Sequence, residues 1–238
     1  MDGYRNIRVS PVAGALGAEI GGIDLSARLD DDTVAEIRRA LLEHLVIFFR
    51  GQTLDDAGHK AFTRRFGDIF IHPNFNTGAG DPEIGRVVRA PGDERIVGEE
   101  WHSDTTMMPE PPMGAILYAL EVPPYGGDTL FANQYLASES LSDGMKSMLA
   151  GLRAVHSDIR VAGPAAGMNA RRAIKVREDS NWRPTESLHP VVRTHPETGR
   201  KCLFVNHSYS CRFENMTDRE SKPLLDFLMD HGHRPEFT

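Results

Sequence analysis

Residues 189–206 read HPVVRTHPETGRKCLFVN. This stretch helps to distinguish a fold with an antiparallel sheet from a doubly wound parallel one. Apolar residues on either side of the turn-forming PETG sequence at 196–199 predict two strands, at 189–194 and 201–206. A turn this short makes the two strands antiparallel, because parallel neighbours need a crossover of a dozen or more residues. The stretch therefore predicts a hairpin and favours an antiparallel sheet.

Short strands and helices are also predicted on both sides of this hairpin. Predicted strands lie near 7–9, 18–23, 46–49, 84–88, 114–120 and 129–133. Predicted helices run from Asp31 or Asp32 to His44, from Thr53 or Asp55 to Gly67, over 142–152, and from a capping box at 217–220 to Gly232. The order lacks the alternating strand–helix–strand rhythm of a doubly wound sheet. We therefore predict an α+β, mainly β fold with a barrel-like core and flanking helices.

The composition is that of a globular protein with no general affinity for polyanions. The chain has 238 residues, enough to bury a sizeable core, and we expect one domain over residues 1–238. Apolar residues make up 40% and charged residues 26%, which excludes a disordered chain. A formal net charge of −7 gives no global attraction to nucleic acid or anionic membranes, and neither is an expected partner.

The compartment follows from the cysteines and the apolar runs. Two cysteines, Cys202 and Cys211, are few for a secreted disulfide scaffold, so free thiols are favoured, although a bridge between them remains open. Residues 1–17 lack the features of a signal peptide. The longest strongly apolar run, at 45–49, is too short to span a bilayer. We expect a soluble, cytoplasmic protein.

The most informative chemical motif is Trp101-His102-Ser103-Asp104. On an extended segment, His102 and Asp104 point in the same direction because side chains alternate with a period of two. One imidazole and one carboxylate can bind one face of a divalent ion. A distant second histidine would complete the facial triad of a non-haem Fe(II) site. Taken alone, however, the pattern also fits a surface hydrogen-bonding pair.

A second motif, Gly126-Gly127-Asp128-Thr129, combines a tight turn with a hydroxyl. The glycines permit a close approach of the backbone, and the Thr129 hydroxyl can donate a hydrogen bond to a carboxylate. An ordinary β-turn is the alternative interpretation.

Taken in order, the motifs from about Val9 to Thr238 resemble the TauD/TfdA family of taurine and aryloxyalkanoate dioxygenases. The matching segments are GAEIGGIDL at 17–25, FG at 66–67, WHSD at 101–104, GGDT at 126–129, LHPVVRTHP at 188–196, LFVN at 203–206 and PEF at 235–237. The resemblance implies a double-stranded β-helix, a cupin-like jelly roll, with helices outside. It also implies Fe(II), 2-oxoglutarate and O2 as cofactor and cosubstrates, with a small organic acid hydroxylated while succinate and CO2 are released.

The resemblance also implies roles for individual residues. His102 and Asp104 would be the catalytic iron ligands, and Thr129 would bind a carboxylate of 2-oxoglutarate. Related halogenases have a small residue in place of Asp104, so the carboxylate favours hydroxylation. Family members carry a second iron-binding histidine and a 2-oxoglutarate-binding arginine beyond the PEF segment. We therefore expect this sequence to be C-terminally incomplete relative to the family.

The expected substrate pocket is formed by four residues. His72 matches the substrate-binding histidine of the taurine enzyme. Phe75 and Gly98 stand where that enzyme has a tyrosine and an asparagine that bind taurine, which disfavours taurine itself. Thr105 is expected in the same pocket.

Several flanking segments favour a different substrate class. VGEEWH at 97–102 and VHS at 155–157 resemble the phenoxypropionate enzymes. An aryloxyalkanoate-like acid is therefore favoured, with taurine, an alkylsulfonate or an alkyl sulfate as the alternative. Phe75, Met107 and Met108 either line an apolar pocket for such a substrate or pack in the core.

Two readings from other functional classes remain open. The first is a non-catalytic binding or scaffold remnant, motivated by the ligands that are not in this sequence. The second is a hydrolase that uses another divalent ion, which dependence on O2 would distinguish. The family resemblance also implies a homo-oligomer, either a dimer or a tetramer.

Overall fold

A computed structural model describes residues 3–72, 80–89, 92–93, 98–162 and 181–238. These residues group into two compact units. The first contains the chain up to Ile69 together with Ile116–Asn133 and Arg234–Thr238. The second contains Phe70–Ala115 and Gln134–His233.

The first unit is a three-stranded sheet packed against two helices. Its elements are β1 (Arg8–Pro11), β2 (Ala18–Gly21), α1 (Asp31–His44), β3 (Ile47–Phe49) and α2 (Asp56–Thr63). Strand β2 is central, antiparallel to β1 and parallel to β3. Helix α1 lies in the long crossover that a parallel pair requires. The strand pair and both helices predicted in this region are confirmed.

Helix α1 begins where its sequence supplies a cap. The Asp30 side chain accepts a hydrogen bond from the Thr33 amide at 2.8 Å, so the cap precedes the expected Asp31 or Asp32. Ile37 on the inner face of the helix is fully buried, in a core cluster that includes Ile20 and Phe62. Burial of this apolar stripe is what fixes the helix against the sheet.

The described residues of the second unit form two sheets and four helices. Its elements are α3 (Gln134–Ser140), α4 (Asp143–Leu149), β4 (Arg153–Ser157), α5 (Ile159–Ala162), β5 (Glu186–Pro190), β6 (Val192–Thr194), β7 (Lys201–Leu203), β8 (Ser210–Phe213) and α6 (Asp218–Gly232). Strand β4 is the centre of an antiparallel sheet with the order β5-β4-β8. Strands β6 and β7 form the predicted hairpin.

The first strand of that hairpin divides at Val191, which the sequence pattern did not predict. Val191 is fully buried, and its amide donates to the Leu152 carbonyl while its carbonyl accepts from the Phe204 amide. The chain therefore changes partner at this residue. The residues before it pair with β4, and those after it pair with β7.

The strands predicted at 84–88, 114–120 and 129–133 are wrong. Large apolar side chains in these segments face solvent, and Leu117 and Leu130 are 78% and 67% exposed. None of the segments forms a β-ladder with any described residue. The apolar pattern is that of a strand, but a strand also needs a neighbour to satisfy its backbone groups.

Both cysteines are free thiols, as the composition favoured. The Cys202 thiol lies 3.5 Å from the Arg193 carbonyl, and the Cys211 thiol lies 3.4 Å from the Tyr209 carbonyl. Burial raises the pKa of both thiols. No helix in the described part of the chain is long and apolar enough to cross a membrane.

The capping box of α6 provides a test of local stability. The Thr217 hydroxyl accepts from the Glu220 amide at 3.3 Å, and the Glu220 carboxylate accepts from the Thr217 amide at 2.8 Å. We expect Thr217→Ala to lower the free energy of unfolding by about 1 kcal/mol, because the Glu220 amide loses the hydroxyl that caps it. Thr217→Ser should stay near wild type in urea denaturation, and equal losses for both variants would contradict the capping role.

Candidate metal centre

His102 and Asp104 lie side by side in the second unit, as the motif predicted. The Nε2 atom of His102 is 3.2 Å from Oδ1 of Asp104. The two side chains are 32% and 66% exposed, so an ion could reach them from solvent. Two donors bound at right angles to one ion, each at about 2.1 Å, are separated by about 3 Å. The observed pair therefore fits a divalent metal ion without rearrangement.

The backbone sets which nitrogen of His102 is available. Its Nδ1 atom lies 2.7 Å from the Glu100 carbonyl oxygen. A carbonyl can only accept, so Nδ1 carries a proton in this contact. In the neutral ring the lone pair is then on Nε2, the atom that faces Asp104. Carbonyl contacts of this kind commonly orient metal-binding histidines.

The two groups also perturb each other's protonation. The hydrogen bond that protonated His102 donates to Asp104 raises the pKa of His102. The same bond holds the pKa of Asp104 below its usual value, and the nearby His72 adds to this effect. A proton shared between the two groups thus occupies the position that a metal ion would take. Within the described ranges, no third His, Cys, Asp or Glu joins this pair.

Gly98 and His72 lie near the pair, although their substrate-binding roles remain predictions. Gly98 has φ = 78°, and a Cβ atom there would lie 3.2 Å from Cε1 of His102. A side chain would therefore press on the imidazole, which gives the glycine a local reason to be there. His72 is half-buried, and burial lowers its pKa while the charge of Asp104 opposes this shift. Phe75 lies outside the described residues.

Thr105 makes the bend that follows Asp104. Its φ of 51° is left-handed, which is unusual for a residue with a Cβ atom. The residue is 2% exposed, and its hydroxyl has no partner among the described residues. Met107 is fully buried, so its side chain packs in the core, whereas Met108 is half-buried.

Trp101 is held on the other side of the motif by an aromatic contact that the sequence did not indicate. Its ring stacks on His233, with centroids 4.7 Å apart and planes 11° from parallel. Burial lowers the pKa of His233 to about 4, so this ring is neutral near pH 7. His231 instead contacts the Ala137 carbonyl and the Ser140 hydroxyl, which gives it a structural role.

Thr129 belongs to the first unit and is exposed. It contributes to a cavity of about 200 Å³ that is otherwise mostly apolar, with Val12 and Phe48 among its lining residues. Gly126 and Gly127 before it have φ values of 76° and 73°, so the predicted glycine turn is present. The role of Thr129 toward 2-oxoglutarate remains a prediction.

Comparison with known proteins places the chain in a family. The model of the Taurine catabolism dioxygenase TauD, TfdA family matches residues 8–238. An alkylsulfatase of Acinetobacter baylyi is 35% identical over 98% of this chain and 73% of its own length. An (S)-phenoxypropionate/alpha-ketoglutarate-dioxygenase of Delftia acidovorans is 30% identical over 94% and 79%.

A solved structure shows the corresponding fold. The crystal structure of a taurine dioxygenase from Burkholderia xenovorans is 36% identical to this chain, with a TM-score of 0.76. The match covers 98% of this chain and 75% of the other. The mixed sheets and helices described above are therefore those of a TauD-like protein. The chain belongs to the TauD/TfdA family of alpha-ketoglutarate-dependent dioxygenases, oxidoreductases that use Fe(II), 2-oxoglutarate and O2.

Proposed function

We propose that this chain hydroxylates a small organic acid, with His102 and Asp104 as protein ligands of Fe(II). The observation that carries the proposal is the 3.2 Å separation between Nε2 and Oδ1, with Nδ1 already bonded to a carbonyl. When bound, Fe(II) supplies the activation of O2 that couples oxidation of 2-oxoglutarate to hydroxylation. Family membership supports this assignment.

The chain's own residues would bind and orient the reactants. The Glu100 carbonyl keeps the His102 ring in the tautomer that a metal needs. Asp104 supplies negative charge, and Thr129 would donate a hydrogen bond to a carboxylate of 2-oxoglutarate. A double-stranded β-helix in a single domain is the fold proposed to carry these residues. A cytoplasmic homo-oligomer is part of the same proposal.

For the substrate, we propose an organic acid that has an apolar body and a single anionic head group. Relatives of two chemical classes support this: the alkylsulfatase and a sulfate ester dioxygenase of Pseudomonas putida at 35% and 34% identity, and the phenoxypropionate enzyme at 30%. An aryloxyalkanoate and an alkyl sulfate share a carbon chain attached through oxygen to the rest of the molecule. An alkyl sulfate is therefore the second candidate after an aryloxyalkanoate.

Succinate formation tests the proposal directly. The purified protein should convert 2-oxoglutarate to succinate with Fe(II) and ascorbate in air, and faster with an alkyl sulfate or a phenoxypropionate than with taurine. Both rates should fall to background under nitrogen or with a chelator. An iron-loaded protein that forms no succinate would favour the scaffold alternative. Product release that persists without O2 would favour the hydrolase.

A further inference from the structure

The second residue after Asp104, Thr106, is buried in a polar cluster. Thr106 is 1% exposed, and its hydroxyl oxygen lies 2.8 Å from Nδ1 of His156 and 3.2 Å from the side-chain amide of Asn206. His156 is 50 residues away along the chain, and Asn206 is 100 residues away. Long-range bonds of this kind attach the segment after Asp104 to the body of the second unit.

The hydrogen bonds of these residues form a closed cycle that includes Ser210. The other nitrogen of His156 lies 3.3 Å from the Ser210 hydroxyl. That hydroxyl also accepts from the Asn206 backbone amide at 3.0 Å. Thr106, His156, Ser210 and Asn206 therefore form a closed cycle of hydrogen bonds, here termed the buried polar ring. His156 and Ser210 are fully buried, and Asn206 is 4% exposed.

The hydrogen bonds of the buried polar ring suit a neutral imidazole at His156. Burial lowers the pKa of His156 to about 3, so its imidazole carries no charge near pH 7. A neutral imidazole has one donor and one acceptor, and both of its partners are hydroxyls that can serve in either role. Both imidazole nitrogens of His156 therefore have a hydrogen-bond partner in either tautomer, without a buried charge.

The buried polar ring is anchored to rigid elements. His156 lies in the central strand β4, at a shift in its register with β8, and Ser210 begins β8. Two further bonds from β5 hold the same segment: Ser187 donates to the Met107 carbonyl at 2.8 Å, and His189 contacts the Met108 carbonyl at 3.0 Å.

This anchoring bears on the metal centre because Asp104 itself is exposed. Because 66% of the Asp104 side chain is exposed, few side-chain contacts hold its carboxylate, and the direction of the carboxylate depends on the backbone that follows. That backbone includes the left-handed Thr105, a conformation that persists only when its surroundings hold it. The bonds to Thr106 lie directly after this bend.

We propose that Thr106, His156 and Asn206 are positioning residues that fix the approach of the Asp104 carboxylate to Nε2 of His102. The inference rests on the proposed iron site and adds the residues that shape it. Loss of a residue that orients a metal ligand commonly lowers metal affinity by about 10–100-fold.

Anaerobic titration with Fe(II) distinguishes positioning from simple stability. Thr106→Val removes the hydroxyl at nearly constant volume and should weaken Fe(II) binding by about 10-fold or more. Thr106→Ser keeps the hydroxyl and should stay within about 3-fold. His156→Gln breaks the ring from the β4 side and should weaken binding in the same direction, so the test does not depend on one variant folding.

Ser221→Ala is the matched control. Ser221 is also a fully buried hydroxyl of the second unit, bonded to the Phe213 amide and the Thr217 carbonyl. It should lower the unfolding temperature but leave Fe(II) affinity unchanged. If folded Thr106→Val and His156→Gln bind Fe(II) like wild type while His102→Ala does not, positioning is overturned and the iron site stands. If His102→Ala also binds like wild type, both proposals fail.

Discussion

Asp104→Ala is expected to weaken Fe(II) binding by at least about 100-fold and to abolish iron-dependent succinate formation. Loss of a partner behind a ligand changes metal affinity by about 10–100-fold, and loss of the ligand itself should have a greater effect. His102 and Asp104 are also the whole donor set among the described residues, so the variant would leave a single imidazole. Calorimetric titration under nitrogen and succinate assays measure the two effects.

Two further variants make this result specific. Asp226→Ala removes the same charge from an exposed residue of α6 that pairs with Lys222, and it should bind Fe(II) like wild type. Asp104→Glu keeps the carboxylate but displaces it by one methylene, so its affinity should be intermediate. If Asp104→Ala retained wild-type affinity, the ligand assignment would be wrong.

The stability of the metal-free protein is expected to fall as the pH decreases below about 6.5, with a large contribution from His156. The folded-state pKa is about 3, whereas an unfolded histidine has a pKa near 6.5. Between these values the unfolded chain binds the extra proton, so acid favours unfolding. Each pH unit in this window contributes about 1.4 kcal/mol, or about 2 kcal/mol between pH 6.5 and pH 5.

Urea denaturation of His156→Gln isolates this contribution from that of other histidines. Burial also lowers the pKa values of His72, His189 and His233, so the wild-type slope alone does not identify one residue. At pH 8 the variant shows only the loss of packing and hydrogen bonds. Between pH 6.5 and pH 5 it should lose about 2 kcal/mol less than wild type. Parallel losses in the two proteins would refute the assignment.

The elements that the sequence predicted well depend on local signals. Helix α1 has an aspartate cap and an apolar stripe, α6 has its capping box, and the β6–β7 hairpin has a four-residue turn. Each of these features is complete within about fifteen residues, so neighbouring residues suffice to recognise it.

Strands β4 and β8 were not predicted because several of their buried residues are polar. His156, Ser157 and Ser210 are fully buried, against the usual preference for apolar side chains at such positions. Their burial is tolerated only because partners such as Thr106, 50 residues away from His156, satisfy them. No local pattern reports a partner at that distance.

The candidate site shows the same division between local and distant information. The spacing of His102 and Asp104 was enough to predict that the two side chains meet. The Glu100 carbonyl that orients the imidazole and the cluster around Thr106 required coordinates, since neither has a distinctive spacing. The pairing of the two side chains can therefore be predicted from local spacing, whereas its rigidity is a property of the fold.

The burial of the two half-buried thiols affects how readily they are oxidised. Oxidation to sulfenic acid begins from the thiolate, and burial raises the pKa of both Cys202 and Cys211. At neutral pH a smaller fraction of each thiol is therefore ionised than in an exposed cysteine. Fe(II) and O2, which this family uses, can together generate oxidants. Both cysteines are in the protonated form that reacts with such oxidants most slowly.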